Sequence, residues 1–88
     1  MYKVELSPAA YQQKRSLRKL VREQIEAALD ELAANPYTEK YDAQPMRGDL
    51  VRYRCVVGSY RIIYRIVDNS LWVYVLEIGH RGTIYERK

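Results

Sequence analysis

The 88 residues include one cysteine, three prolines, four glycines and no phenylalanine. Cys55 cannot close an internal disulfide, and no Cys/His cluster at metal-ligand spacing accompanies it. We therefore expect no disulfide framework, no structural metal and no cofactor. No apolar stretch approaches the roughly 18 residues that a membrane span requires. Met1-Tyr2-Lys3-Val4 leads straight into an alternating segment, not a signal peptide, so the expectation is a soluble, cytoplasmic chain without a membrane partner. Internal repeats, low-complexity tracts and Gly/Ser linkers are also missing, which leaves one domain over residues 1–88. A chain of this size builds one small core, so any site must be open and shallow on its surface.

What the chain does have is apolar bulk and arginine. Nearly half of it is hydrophobic, including nine tyrosines and one tryptophan, which excludes a disordered chain. The net charge is +4 and is unevenly distributed: residues 1–46 carry seven Lys/Arg against seven Asp/Glu, residues 47–88 eight against four. Seven of those eight cations are Arg, whose planar fork suits phosphate, so a polyanionic partner is the leading expectation. Ordinary solubilising charge is the plain alternative.

Tyr2 to Leu6 alternates and reads as a strand. Ser7 then serves as an N-cap with Pro8 at the first helical position, where its missing N–H costs nothing. Ala10, Leu17, Val21, Ile25, Ala28, Leu29 and Leu32 recur at helical spacing up to Ala34. That span is one long helix or a hairpin of two. A single helix would overrun so small a domain, which favours a break near Arg18 to Leu20. Asn35-Pro36 ends the helical region, and Pro36 to Asp49, with two prolines and Gly48, reads as a loop.

Three strands follow, at about Leu50 to Val57, Tyr60 to Val67 and Leu71 to Ile78. Gly58-Ser59 has glycine first, as a type II′ hairpin requires. Counting outward from a Val57–Tyr60 pair sets Arg52 opposite Arg65, Arg54 opposite Ile63 and Val56 opposite Arg61 on one face. Val51, Tyr53 and Cys55 meet Ile66, Tyr64 and Ile62 on the other, which is the core face. For the next turn, a three-residue loop at Asp68-Asn69-Ser70 pairs Ile62 with Leu76, Tyr64 with Tyr74 and Ile66 with Trp72, and sets Glu77 opposite Arg61. A two-residue loop would drive Glu77 into the core. The expected fold is α+β: an N-terminal strand, a two-helix hairpin and a three-stranded antiparallel meander, with the helices on one face of a four-stranded sheet.

The other face then carries Arg52, Arg54, Arg61 and Arg65, with Glu77 as the compensating acid. Like charges set opposite one another destabilise a sheet. A phosphate backbone would offset the repulsion and use the bidentate guanidinium geometry; solvated, salt-screened arginines are the bland alternative. Gly79-His80-Arg81-Gly82 and Tyr85 follow, and strand alternation returns Arg81 to the arginine face. RNA cleavage needs a base for the 2′-OH proton, cations for the phosphorane charge and an acid for the leaving 5′ oxygen. Arg61 and Arg81 suit the charge, and His80 or Tyr85 the proton transfers. A lone loop histidine is more often incidental than catalytic, and a tyrosine such as Tyr85 is more often a packing residue.

Met46-Arg47-Gly48-Asp49-Leu50, Tyr53-Arg54-Cys55-Val56-Val57-Gly58-Ser59-Tyr60-Arg61-Ile62-Ile63-Tyr64 and Ile78-Gly79-His80-Arg81 with Tyr85 together resemble RelE-type toxins of the RelE/ParE toxin–antitoxin superfamily, across the whole chain. The resemblance implies a ribosome-dependent endoribonuclease that cuts messenger RNA in the A site by 2′-OH attack, leaving a 2′,3′-cyclic phosphate and a 5′-OH. It implies a site at Arg52, Arg54, Arg61, Arg81 and Tyr85, and the strand register sets Arg65 beside them as a further RNA-binding residue. It also implies a cognate antitoxin that wraps the domain with a helical segment, and no obligate homo-oligomer. The best-studied members carry lysines where Arg52 and Arg54 stand, the second assigned as general base. Arginine does not readily lose a proton, which turns attention to His80. ParE-type toxins that poison DNA gyrase share the fold, so a gyrase inhibitor is the main rival, and a non-catalytic RNA- or protein-binding module is the third reading.

Overall fold

The computed structural model describes residues 1–80, with 49–51 described by their backbone alone. The chain runs β1 (Lys3–Leu6), α1 (Pro8–Arg15), α2 (Lys19–Ala34), β2 (Gln44–Met46), β3 (Asp49–Val57), β4 (Tyr60–Val67) and β5 (Trp72–His80). The strands form one sheet in the order β1-β5-β4-β3-β2, in which β1 runs parallel to β5 and the other neighbours are antiparallel.

Ser7 caps α1 as its position before Pro8 predicts: its Oγ accepts from the Ala10 N–H at 3.0 Å. The helical region breaks at Ser16–Arg18, close to the predicted place and without glycine or proline. The Ser16 hydroxyl donates to the Gln12 carbonyl at 2.9 Å, Arg18 turns extended, and the Arg22 guanidinium takes the Leu17 carbonyl at 3.1 Å. Breaking there lets Leu17 and Val21 both reach the core. Ala10 of α1 and Ile25, Ala28, Leu29 and Leu32 of α2 lie buried against Cys55, Val57, Ile62, Tyr64, Val73, Val75 and Ile78 of the sheet. Cys55 is core, as expected, and burial pushes its thiol up to about 12. The Tyr64 hydroxyl, fully buried, donates to the Pro36 carbonyl at 2.7 Å.

The structure corrects two predicted features. The segment predicted as loop from Pro36 to Asp49 contains β2, so the sheet has five strands, not four. Pro45 marks an edge strand, where a missing donor is tolerated, and a register shift follows it at Met46. The β4–β5 pairing also differs. The connection is Asp68–Leu71, one residue longer than predicted, with Leu71 at φ 56. Tyr64 pairs with Val75, Ile66 with Val73 and Val67 with Trp72. The register then shifts between Ile63 and Tyr64, so that Leu76 has no partner, Ile63 faces Glu77, Ile62 faces Ile78 and Arg61 faces Gly79. The reason is phase. Pairing that buries Val73 and Val75 would carry Glu77 inward at the next alternation; a bulge at Leu76 inverts the alternation, burying Ile78 and returning Glu77 to the outer face. Trp72 and Tyr74, predicted as core, consequently point away from the helices. The Ser7 hydroxyl donates to the Leu76 carbonyl at 2.9 Å, and the Ile78 N–H donates to Gln13 Oε1 at 2.7 Å, so α1 closes the strand edge beside the bulge.

Candidate active site on the open face of the sheet

Both helices cover one face of the sheet, and the other is open among the described residues. Cross-strand partners share a face. The β3–β4 register matches prediction from Arg52 to Tyr60: Arg52 faces Arg65, Arg54 faces Ile63 and Val56 faces Arg61. Gly58 takes φ 60 while Ser59 stays at negative φ, as a type II′ turn requires, and this short turn holds the register. Arg54 and Arg61 are therefore diagonal neighbours, about 7–8 Å apart at the backbone. Between them lies Ile63, 6 % exposed, as an apolar floor. Arg52 and Arg65 stand exposed at the next pair along, and Arg54 and Arg61 are half-buried.

Two acids approach this cluster. Asp42, which carried no signal in the sequence, adopts φ 54 and brings its carboxylate to 3.5 Å from the Arg54 guanidinium; the Asp42 carbonyl accepts from the same nitrogen at 3.4 Å. The Asp42 side chain is 61 % exposed, so the pair contributes at most about 1 kcal/mol and leaves Arg54 able to exchange it for a stronger anion. Glu77 lies on the same face but opposite Ile63, not opposite Arg61 as predicted. The Arg61 guanidinium donates to the Tyr60 carbonyl at 3.1 Å, which fixes it close to the strand end.

His80 is differently placed. Its partner is Tyr60, whose ring lies edge-on at 5.6 Å and packs against the core. Register thus sets His80 on the helix-bearing side and Arg61 on the other. Arg81 and Tyr85 lie outside the described residues. Two guanidinium groups over an apolar floor, with a carboxylate beside them, can hold a phosphodiester and stabilise charge that develops on it.

A family model described as the ParE toxin of type II toxin–antitoxin systems, parDE, matches residues 4–85. The mRNA interferase toxin RelE of Escherichia coli is 28 % identical over 82 residues, covering 91 % of this chain and 83 % of that protein. Toxin RelG of Mycobacterium tuberculosis is 33 % identical over 64 residues, covering 72 % and 70 %. Among solved structures, the archaeal RelE–RelB complex from Pyrococcus horikoshii superposes with a TM-score of 0.82 at 26 % identity, covering 93 % of this chain and 97 % of the matched one.

Proposed function

Because the chain belongs to the ParE toxin family of type II toxin–antitoxin systems, we propose that it is the toxin of such a pair and cuts messenger RNA. The observation that carries this reading is the diagonal Arg54–Arg61 pair over Ile63 on the sheet face that no described element covers. The similarity to a protein named as an mRNA interferase supports it. In the proposed step the ribose 2′-oxygen bonds to the adjacent phosphorus as its proton passes to a base. The P–O5′ bond breaks, and the departing 5′ oxygen takes up a proton. The products are a 2′,3′-cyclic phosphate and a 5′-OH, and no co-substrate is consumed. Arg54 and Arg61 hold the phosphate and stabilise the phosphorane; Arg52 and Arg65 bind the strand. Arg81 adds charge and Tyr85 orients the nucleotide and donates to the leaving oxygen, both on the strength of the resemblance. The base is His80, reaching round the strand end, or Glu77, which shares the face of Arg54 and Arg61.

The message is met in the ribosomal A site, which puts the toxin in the cytoplasm. A cognate antitoxin wraps and silences the domain, a reading supported by the RelE–RelB complex whose toxin this chain resembles. The family description favours one rival, a gyrase inhibitor of the ParE branch. Programmed ribosomes carrying a message with 2′-deoxyribose at the scissile nucleotide test the chemistry. Cutting should stop with the deoxy message and yield a cyclic phosphate with the ribose one; persistent cutting of the deoxy message overturns the mechanism.

A further inference from the structure

The β5 register that buries Val73 and Val75 turns the chain's single tryptophan and a tyrosine onto the open face. The Trp72 and Tyr74 rings stack with centroids 5.4 Å apart and planes 9° from parallel. Both are partly exposed. Lys3 Nζ lies 5.6 Å from the Trp72 ring centroid. Across four strands one row reads Arg52, Arg65, Tyr74, Glu5, and the row beside it reads Val67, Trp72, Lys3. Lys3, Arg52, Arg54, Arg61 and Arg65 thus share this face with Glu5 and Glu77, and Asp42 reaches it beside Arg54. Large aromatics set outward on a sheet, flanked by cations, match the way unpaired bases are held: rings stack on rings while phosphates meet guanidinium and ammonium groups. Arg65 stands four residues from Arg61 on β4, about 13 Å away, with no described element between them.

We propose that Trp72 and Tyr74, with Arg65 and Lys3, form a stacking subsite for unpaired bases of the message strand that crosses the Arg54–Arg61 pair. This subsite rests on the ribonuclease reading. The message is favoured over other RNA because the aromatic pair and the arginine pair lie on one continuous face.

Since Trp72 is the only tryptophan, its fluorescence reports stacking directly. Titration with a fully 2′-O-methylated single-stranded oligonucleotide, which cannot be cut, should quench that emission saturably. An abasic oligonucleotide with the same phosphates should bind without quenching. Tyr74→Ala should weaken binding of the methylated strand about five- to 150-fold with an unchanged melting temperature, and Trp72→Ala, followed by anisotropy of a labelled strand, should do the same. On programmed ribosomes, abasic nucleotides flanking the cut should raise KM for the wild type and add nothing further to Trp72→Ala. Unquenched emission, or unchanged affinity in both variants, overturns the subsite while cleavage of transcripts by the wild type keeps the ribonuclease reading intact. Full additivity in KM assigns the rings to another RNA and also overturns it. So does weakened capture of the cognate antitoxin by both variants at unchanged oligonucleotide affinity. Absence of any cleavage by the wild type removes the ribonuclease reading and this one with it.

Discussion

Asp68 shows how much a single exposed carboxylate can organise. It accepts from the Tyr2 hydroxyl at 2.5 Å and the Tyr37 hydroxyl at 2.7 Å, tying the chain before β1 and the turn after α2 to the β4–β5 connection. Both bonds hold its carboxyl below the ordinary range, and the same bonds raise both tyrosines. Asp68 therefore contributes stability fully above the unfolded carboxylate value, about 3.9, and that contribution is lost as pH falls through the depressed folded value. The tyrosines' contribution is present below about pH 10 and is lost as pH rises through their raised values. Thermal melts should show Asp68→Asn less stable than wild type at neutral pH, with the gap closing in acid below about pH 4; a gap that stays constant into strong acid contradicts the clamp. The proton transfers are also a residue-scale question. If His80 is the base, His80→Ala loses about 10²- to 10⁴-fold in single-turnover cleavage. If Glu77 is the base, Glu77→Gln takes that loss and His80→Ala leaves the rate unchanged. The arginine positions were legible in the sequence because Gly58 admits one turn type and the alternation then follows. The face of Trp72 and Tyr74 was not, since it depends on the bulge at Leu76, after which the strand returns to the predicted phase.

The elements divide along the same line. The strands around Gly58-Ser59, the capped start at Ser7-Pro8 and the helix face of Ile25, Ala28, Leu29 and Leu32 each carry an unambiguous local signal. β5 carries two: Trp72, Tyr74 and Leu76 form one alternating stripe, and Val73 and Val75 the other. Side-chain size favours the first stripe as core, yet the sheet buries the second and switches phase at Leu76 to keep Glu77 out. β2 was hidden by Pro45, which reads as a loop residue unless the strand is known to be an edge. The bulge carries a direct prediction. With Leu76 kept and the bulge ironed out, Glu77 would turn inward, where an unpaired carboxylate costs several kcal/mol, comparable to a total stability of about 5–15 kcal/mol. Deleting Leu76 removes the bulge and makes Val75 and Glu77 consecutive, so that regular alternation keeps Val75 and Ile78 inward and Glu77 outward. The deletion variant should therefore keep a cooperative melt, losing mainly the Ser7 hydrogen bond to the Leu76 carbonyl. A deletion variant that loses its cooperative melt would contradict the assignment of Leu76 as the bulged residue.

At the scale of the whole molecule, the helices occupy one face of the sheet, and Arg52, Arg54, Arg61 and Arg65 stand on the other. No helix among the described residues is long and apolar enough to cross a membrane. The division leaves an arginine surface with a shallow apolar floor, suited to a flexible polyanion and to chemistry that needs charge more than enclosure. The most direct test is to induce the chain in cells and map transcript 5′ ends beside an Arg61→Ala variant with the same melting temperature. The ribonuclease reading predicts new 5′-hydroxyl ends inside translated frames within minutes of induction, loss of amino-acid incorporation before DNA synthesis fails, and neither effect in Arg61→Ala. Intact transcripts with an early DNA-damage response would contradict it and move the chain to the gyrase-directed branch.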